Sequence, residues 1–124
     1  MYNHRCRVDA GTLRLAEDAV TALRTRLGAR AEVIARAPGR LEVLGAHTDY
    51  NEGFVTAIAI EQATVVAGAR RHDTLLRVWS DHAGDVPVGG GVSSSAALEV
   101  ACAIALSSLA GCTIAPERLA LLCQ

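Results

Sequence analysis

Residues 85–99, with the sequence DVPVGGGVSSSAALE, have the residue types of a phosphate-binding loop. Glycines 89–91 permit backbone angles closed to other residues and leave no side chain between the chain and a ligand. Serines 93–95 then begin an Ala/Leu-rich run predicted to be helical, where unpaired N–H groups, hydroxyls and the positive end of the helix dipole meet. The same pattern also describes an ordinary helix that starts with a serine N-cap. This stretch alone therefore leaves a phosphate site and a plain helix start both open.

Two familiar nucleotide-binding loops do not fit this stretch. The P-loop requires a lysine after its glycines, and the chain contains no lysine because all 12 of its basic residues are arginine. The dinucleotide fingerprint spaces its glycines as Gly-x-Gly-x-x-Gly, whereas glycines 89–91 are contiguous.

A second concentration of functional side chains lies in residues 36–53. It contains Arg40, Glu42, His47, Asp49, Tyr50 and Asn51, close to a Pro-Gly pair and among strand-forming residues. Polar groups on a loop that strands hold in place suit a polyhydroxylated ligand, since each hydroxyl both donates and accepts hydrogen bonds. A polar loop that only satisfies its own hydrogen bonds is the alternative.

The amino-acid composition limits which binding partners and which cellular compartment are expected. The net charge of −1 gives no electrostatic basis for binding nucleic acid or an anionic membrane surface, and 3% aromatic residues disfavour base stacking. We therefore expect small or neutral partners, and the sequence leaves the oligomeric state open. The four cysteines include no Cys-x-x-Cys pair, and the N-terminus does not have the pattern of a secretory signal. The longest apolar run is too short to span a bilayer. These three features together predict a cytoplasmic protein.

The predicted strands and helices alternate without the regular spacing of βαβ units. This order predicts an α+β fold in which a mixed β-sheet is covered by helices on one side. A 3.6-residue apolar period predicts a helix that ends at Gly28, and Pro-Gly predicts a turn inside a bent or paired strand unit. The predicted helices are residues 12–27, 93–109 and 116–123, and the predicted strands are residues 32–37, 41–44, 54–60, 64–69 and 75–80.

The two stretches together resemble the galactokinases of the GHMP kinase superfamily. Residues 36–50, RAPGRLEVLGAHTDY, resemble the galactokinase signature, which contains Gly-Arg-x-Asn followed after two hydrophobic residues by Gly-Glu/Asp-His-x-Asp-Tyr/Phe. Residues 86–97, VPVGGGVSSSAA, resemble the superfamily's ATP-binding motif, and the two motifs stand in the family's order. The resemblance implies that residues 1–124 are a GHMP kinase N-terminal domain with a ribosomal-protein-like fold, including a left-handed β-α-β unit.

The resemblance also implies an activity and a set of site residues. It implies an ATP- and Mg²⁺-dependent kinase that phosphorylates the anomeric hydroxyl of galactose or a related sugar. Arg40 would stabilise the developing negative charge as the catalytic residue, and Ser95 would help to hold Mg²⁺. The implied sugar-binding residues are Arg40, His47, Asp49 and Tyr50, and the implied ATP-binding residues are Val88, Gly89, Gly90, Gly91, Val92, Ser93, Ser94, Ser95 and Ala96.

The chain also departs from the family pattern. Glu42 stands where the signature has asparagine, Ala46 where it has an acidic residue, and Val92 replaces a leucine. Family members have several tens of residues between the strand at 75–80 and the segment at 84–87, so an internal deletion is expected. They also continue past Gln124 into a segment with the catalytic aspartate and a C-terminal domain, and no aspartate here matches that motif.

We therefore expect the chain alone to be catalytically inactive, and two other functions remain open. One is a non-catalytic module that binds sugar or nucleotide, since kinase folds can serve as sensors once catalysis is lost. The other is a different GHMP small-molecule kinase, although the Gly45-x-His47-x-Asp49-Tyr50 pattern disfavours the isoprenoid branch.

Overall fold

A computed structural model describes residues 9–45, 54–80 and 93–123 of the chain. The element order is α1 (Ala10–Leu27), β1 (Val33–Leu44), β2 (Thr56–Gly68), α2 (Ser94–Leu109) and α3 (Pro116–Leu122). This confirms the α+β prediction, and in these ranges the sheet consists of β1 paired antiparallel with β2. The predicted mixed sheet and left-handed β-α-β unit require strands in addition to β1 and β2, so this antiparallel pair does not test them.

Helix α1 begins and ends as its sequence predicts. Asp9 is the N-cap, and its Oδ1 accepts a hydrogen bond of 2.8 Å from the backbone N–H of Thr12. Gly28 ends the helix with φ of 67°, and its N–H donates to the carbonyl of Arg24. A glycine is required at that end because other residues disfavour the left-handed conformation.

The strands are longer and fewer than predicted. Residues 33–44 form one strand, which agrees with the bent form of the predicted strand unit and not with a turn at Pro38-Gly39 that separates two paired strands. The predicted break between residues 60 and 64 was wrong, because β2 runs through without interruption. The ladder shifts register between Pro38 and Arg40, so the Pro-Gly pair forms an irregularity in one strand instead of a turn. Proline lacks the ladder N–H and is tolerated at such a bulge.

The predicted strand at residues 75–80 is also wrong, since the structure assigns no strand there. Its β-prone side chains remain outside the ladder, and Leu75, Leu76 and Val78 are exposed. A high β-propensity means that residues suit a paired and half-buried surface. Such residues form a strand only when a partner strand pairs with them.

The two long helices contact different faces of the β1–β2 hairpin. Ala37 is buried in one cluster with Ala97 and Ala101 of α2, with Val66 packed against it. Arg36 lies on the other face because side chains alternate along a strand, and its Nε donates to Thr12 Oγ1 of α1 at 3.0 Å. The prediction of helices on one side only was therefore wrong.

Alanine dominates the buried core in the described residues. Ala35, Ala37 and Ala63 on the strands and Ala97, Ala101 and Ala105 on α2 are all nearly inaccessible. Their small side chains let the backbones of helix and sheet approach closely, as the high alanine content and the scarcity of aromatic residues predict. Cys102, Cys112 and Cys123 are free thiols. In the parts of the chain that the structure describes, no helix has the length and apolar character needed to cross a bilayer.

The N-cap of α1 predicts a pH-dependent stability. The backbone N–H of Thr12, followed by its hydroxyl, lowers the pKa of Asp9 below the ordinary value of 3.8. The carboxylate therefore stabilises the fold fully above about pH 4, and this stabilisation is lost as the pH falls through the lowered pKa of the folded state.

The measurement is the thermal midpoint between pH 6 and pH 2 for the wild type and for Asp9→Asn. Asparagine keeps a capping oxygen but does not titrate, and Asp73, whose pKa is about 2, titrates in both proteins. We expect the wild type to lose more stability with acid than the variant. Parallel curves would contradict the assignment.

Candidate functional site

Arg40 lies on β1, just after the irregularity at Pro38. Its Nη2 donates to Glu42 Oε1 at 2.7 Å, and the two side chains are 49% and 23% exposed. Residues two apart on a strand project from the same face, so the pair forms without distortion of the backbone. The result is a guanidinium and a carboxylate side by side at the surface of the strand.

Helix α2 begins with a serine that does not cap it in the ordinary way. Ser93 has φ of 53° and ψ of 49°, and its side chain makes no capping hydrogen bond. In the described parts of the chain it is the non-glycine residue with a positive φ. A serine N-cap normally has extended angles and accepts a bond from the first turn, so the plain helix-start interpretation does not fit Ser93.

The first turn of α2 retains the properties of an anion site. A helix leaves its first N–H groups without intrahelical partners, and the first turn here, which begins at Ser94, contains no acidic residue. The hydroxyls of Ser94 and Ser95 lie in the same turn. The turn can therefore offer N–H and O–H donors at the positive end of the helix dipole.

The packing of α2 shows which end of the sheet this turn approaches. At its C-terminal end, the carbonyl of Leu109 accepts a 2.6 Å hydrogen bond from Arg70 Nε, and the Leu109 side chain lies against Gly68. Gly68 pairs with Val33, the first residue of β1. Since Ala97 near the start of α2 packs with Ala37, the helix runs antiparallel to β1 and its first turn lies toward the Arg40 end. The described parts of the two motifs, Arg40 on β1 and the first turn of α2, therefore lie toward the same end of the hairpin, although Arg40 shares the strand face of Arg36, opposite the face that α2 covers.

Residues 55–124 match the family described as GHMP kinases N terminal domain. The chain belongs to the GHMP kinases. Residues 21–70 match the galactokinase galactose-binding signature, so both parts of the sequence resemblance are confirmed at the level of the family.

Curated galactokinases are similar to this GHMP kinase domain. The galactokinase of Roseiflexus sp. (strain RS-1) is 37% identical over 141 residues, which covers 78% of this chain and 36% of the relative. The galactokinases of Chloroflexus aggregans and Chloroflexus aurantiacus are 36% and 34% identical over 73% of this chain and 35% of each relative. The chain therefore spans about a third of the length of these relatives.

The lengths of these alignments support the expected internal deletion. Since 78% of 124 residues is about 97 residues, about 44 of the 141 aligned positions of the Roseiflexus galactokinase have no counterpart here. This number of unmatched positions is of the size that the motif spacing predicts for the deletion.

Several predicted site residues of the GHMP kinase domain lie outside the described residues. They are the sugar-binding residues His47, Asp49 and Tyr50 and the ATP-binding residues Val88, Gly89, Gly90, Gly91 and Val92. Their roles stay predictions. Among the described residues, Arg40 lies on β1, and Ser93, Ser94, Ser95 and Ala96 lie at the start of α2.

The pairing of Glu42 with Arg40 is what the sequence did not show. Glu42 was one of the functional side chains noted in residues 36–53 and a departure from the family signature, and the structure makes it the partner of Arg40. Opposite charges two residues apart were the available signal, but the predicted strand at residues 41–44 did not include Arg40. Because β1 contains both residues, their side chains project from the same face of the strand.

An open depression at the start of β1 is lined by residues 28–32 with Ala69 and Arg70, at the end of the hairpin away from Arg40. In residues 9–45, 54–80 and 93–123, no group of three or more His, Cys, Asp or Glu side chains is placed to hold a metal ion.

Proposed function

We propose that this chain supplies sugar- and nucleotide-binding parts of a galactokinase-type kinase, which phosphorylates the anomeric hydroxyl of galactose or a related sugar. The observation that carries the proposal is the direction of α2, which turns its unpartnered N–H groups toward the Arg40 end of β1. The galactokinase signature match and the names of the curated relatives support the substrate class.

The residues of the chain would act by position and charge. ATP, when bound, supplies the phosphoryl group, and its phosphate oxygens would be held by N–H groups and hydroxyls of residues 93–96. Mg²⁺ accepts oxygen ligands, so the Ser95 hydroxyl fits it as one ligand alongside phosphate oxygens and water. Arg40 would lie beside the sugar and stabilise negative charge, since phosphoryl transfer requires mainly orientation and charge neutralisation.

We further propose that the chain by itself does not catalyse phosphoryl transfer and that it acts in a reducing cytoplasm. None of its aspartates matches the family's catalytic motif. An assay of ADP release with ATP, Mg²⁺ and galactose should therefore show no turnover for the 124-residue chain. Clear turnover would contradict this part of the proposal.

Replacement of Ser95 by alanine should weaken the binding of ATP–Mg²⁺ several-fold, because it removes one hydroxyl oxygen from the site. Gly90→Val should weaken it further, because a branched side chain enters a stretch where only glycines stand. The measurement is isothermal titration calorimetry with ATP and MgCl₂.

Ser108→Ala provides the matched control, since Ser108 is exposed near the other end of the same helix. Its affinity should equal that of the wild type. An absence of ATP–Mg²⁺ binding in the wild type would contradict the phosphate site, and equal effects of Ser95→Ala and Ser108→Ala would contradict the role of Ser95.

The second candidate function is a binding module without catalysis. The substitutions at positions 42 and 46 and the missing positions in the alignments favour it. An ADP-release assay of this chain mixed with the separately expressed C-terminal two-thirds of the Roseiflexus galactokinase distinguishes the two. Restored turnover supports the kinase function, and binding of ATP and galactose without turnover supports the module.

A further inference from the structure

We propose that the depression at the start of β1 is a binding site for a small anion with two or more phosphate groups. It lies at the end of the hairpin away from the first turn of α2, and the fold gathers positive charge around it. The proposal does not depend on the proposed function, because it uses none of the residues assigned there to the sugar or to ATP.

Half of the arginines of the chain lie around this depression. Two are in the last turn of α1, two line the depression, and two belong to the exposed segment that follows β2. The backbone N–H of Glu32 donates to the carbonyl of Gly68, which joins the loop after α1 to the end of β2. The six are Arg24, Arg26, Arg30, Arg70, Arg71 and Arg77.

Two contacts place the segment after β2 beside the end of α1. The guanidinium of Arg26 lies 5.3 Å from the centre of the Trp79 ring. Arg71 pairs with Asp73, and the pKa of Asp73 is lowered to about 2 mainly by this hydrogen bond, with a further contribution from the positive charge of Arg77. The arginines of this segment therefore add to the charge of those at the depression.

The positive charge around the depression exceeds what the local structure requires. The carboxylates in residues 24–32 and 69–79 are those of Glu32 and Asp73, so six arginines less two carboxylates leave +4, whereas the net charge of −1 leaves −5 for the rest of the chain. Arginines also complement the carbonyl ends of helices, and α1 and α2 both end here, but two such ends are equivalent to only about one negative charge. About three positive charges therefore remain for a ligand.

The depression also has the size and the donors for a phosphorylated ligand. Its volume of about 660 Å³ is within the range of small-molecule sites. Among the described residues, the guanidinium of Arg30 has no hydrogen-bond or ion-pair partner, and the backbone N–H groups of Arg30 and Ala31 are unpaired. A guanidinium and free backbone N–H groups are donors that suit phosphate oxygens. One phosphate group has a charge of at most about −2, so two or more match the remaining positive charge better.

Titration of the ¹⁵N-labelled 124-residue chain with sodium tripolyphosphate, followed through the backbone amide resonances, tests this site. We expect the amides of residues 28–32 and 69–71 to shift and to saturate. The Kd obtained from these shifts should rise several-fold between about 50 mM and about 200 mM NaCl, because salt screens the exposed arginines.

Arg30→Ala should raise this Kd about fivefold, since it removes the unpaired guanidinium from the lining. Arg77→Ala introduced into Arg30→Ala should raise it further. Arg14→Ala is the matched control, because it removes the same charge from an exposed position near the start of α1, outside the depression. Its Kd should equal that of the wild type. All three positions are exposed, so the variants keep the buried contacts of the fold.

The outcomes separate this site from the phosphate site at the start of α2. Shifts confined to residues 93–96 would overturn the site at the depression and leave the other standing. Equal Kd values for Arg30→Ala and Arg14→Ala would also overturn it. Citrate, a tricarboxylate, tests the chemical class of the ligand, and binding as tight as that of tripolyphosphate would contradict a preference for phosphate groups.

Discussion

Replacement of Ala101 by leucine should lower the free energy of unfolding by about 3 kcal/mol. Ala101 is 0% exposed and packs with Ala37 of β1 and Ala97 of its own helix. Leucine adds three carbon atoms at a fully buried position between helix and sheet, where they must displace neighbouring atoms. Urea unfolding followed by circular dichroism measures the change.

Ala120→Leu is the matched control for this substitution. Ala120 lies on α3 and is exposed, so the same added volume meets solvent there. Its free energy of unfolding should stay within about 0.5 kcal/mol of the wild type. If both variants unfold at the same urea concentration, α2 does not pack on β1 through Ala101.

The same substitution tests whether the packing of α2 positions the phosphate-binding turn. A helix displaced from β1 also displaces its first turn, which begins at Ser94. In a folded Ala101→Leu protein, the affinity for ATP–Mg²⁺ should therefore fall, although the side chain of residue 101 lies nearly two turns from Ser95.

Replacement of Thr12 by valine should lower the free energy of unfolding by about 2 kcal/mol. The Thr12 hydroxyl donates a hydrogen bond to Asp9 Oδ2 at 2.8 Å and accepts one from Arg36 Nε at 3.0 Å. Arg36 Nη2 in turn donates a hydrogen bond to the backbone carbonyl of Glu61 on β2. Valine has the same shape as threonine without the hydroxyl, so both bonds are lost and the link between α1 and the hairpin is broken. The thermal midpoint should fall by several degrees.

Thr25→Val on the same helix is the control for Thr12. The Thr25 hydroxyl donates to the carbonyl of Thr21 within α1 and is exposed. Its loss should have little effect, because water can replace that bond. Equal stability of Thr12→Val and Thr25→Val would show that the Asp9–Thr12–Arg36 chain of hydrogen bonds does not hold α1 in place.

The helices of this protein could be predicted from sequence because their signals are local. The apolar period and Gly28 predict α1, the Ala/Leu run and Gly111 predict α2, and Pro116 predicts the start of α3. The family could be predicted for a related reason, since its two motifs are contiguous runs of residues. Neither kind of signal needs knowledge of which distant residues meet.

The strands depended on tertiary structure because a strand is stabilised by a partner that the sequence does not identify. Pro38-Gly39 has the composition of a turn, but its pairing with β2 keeps it inside one strand. Residues 75–80 have the composition of a strand, but no partner lies beside them in the described residues. Pairing and register therefore decided these segments against their local propensities.

The sequence by itself determined the family, the three helices and the identities of the groups that could bind phosphate and sugar. Only the tertiary structure decided that α2 runs antiparallel to β1, that Ser93 has a left-handed conformation, and that Glu42 is the partner of Arg40. The physical reason is that helix caps and motifs depend on residues a few positions apart, whereas the direction of a helix on a sheet depends on contacts between residues tens of positions apart. Those contacts, made here by alanines with no distinguishing chemistry, turn the first turn of α2 toward the end of β1 that contains Arg40.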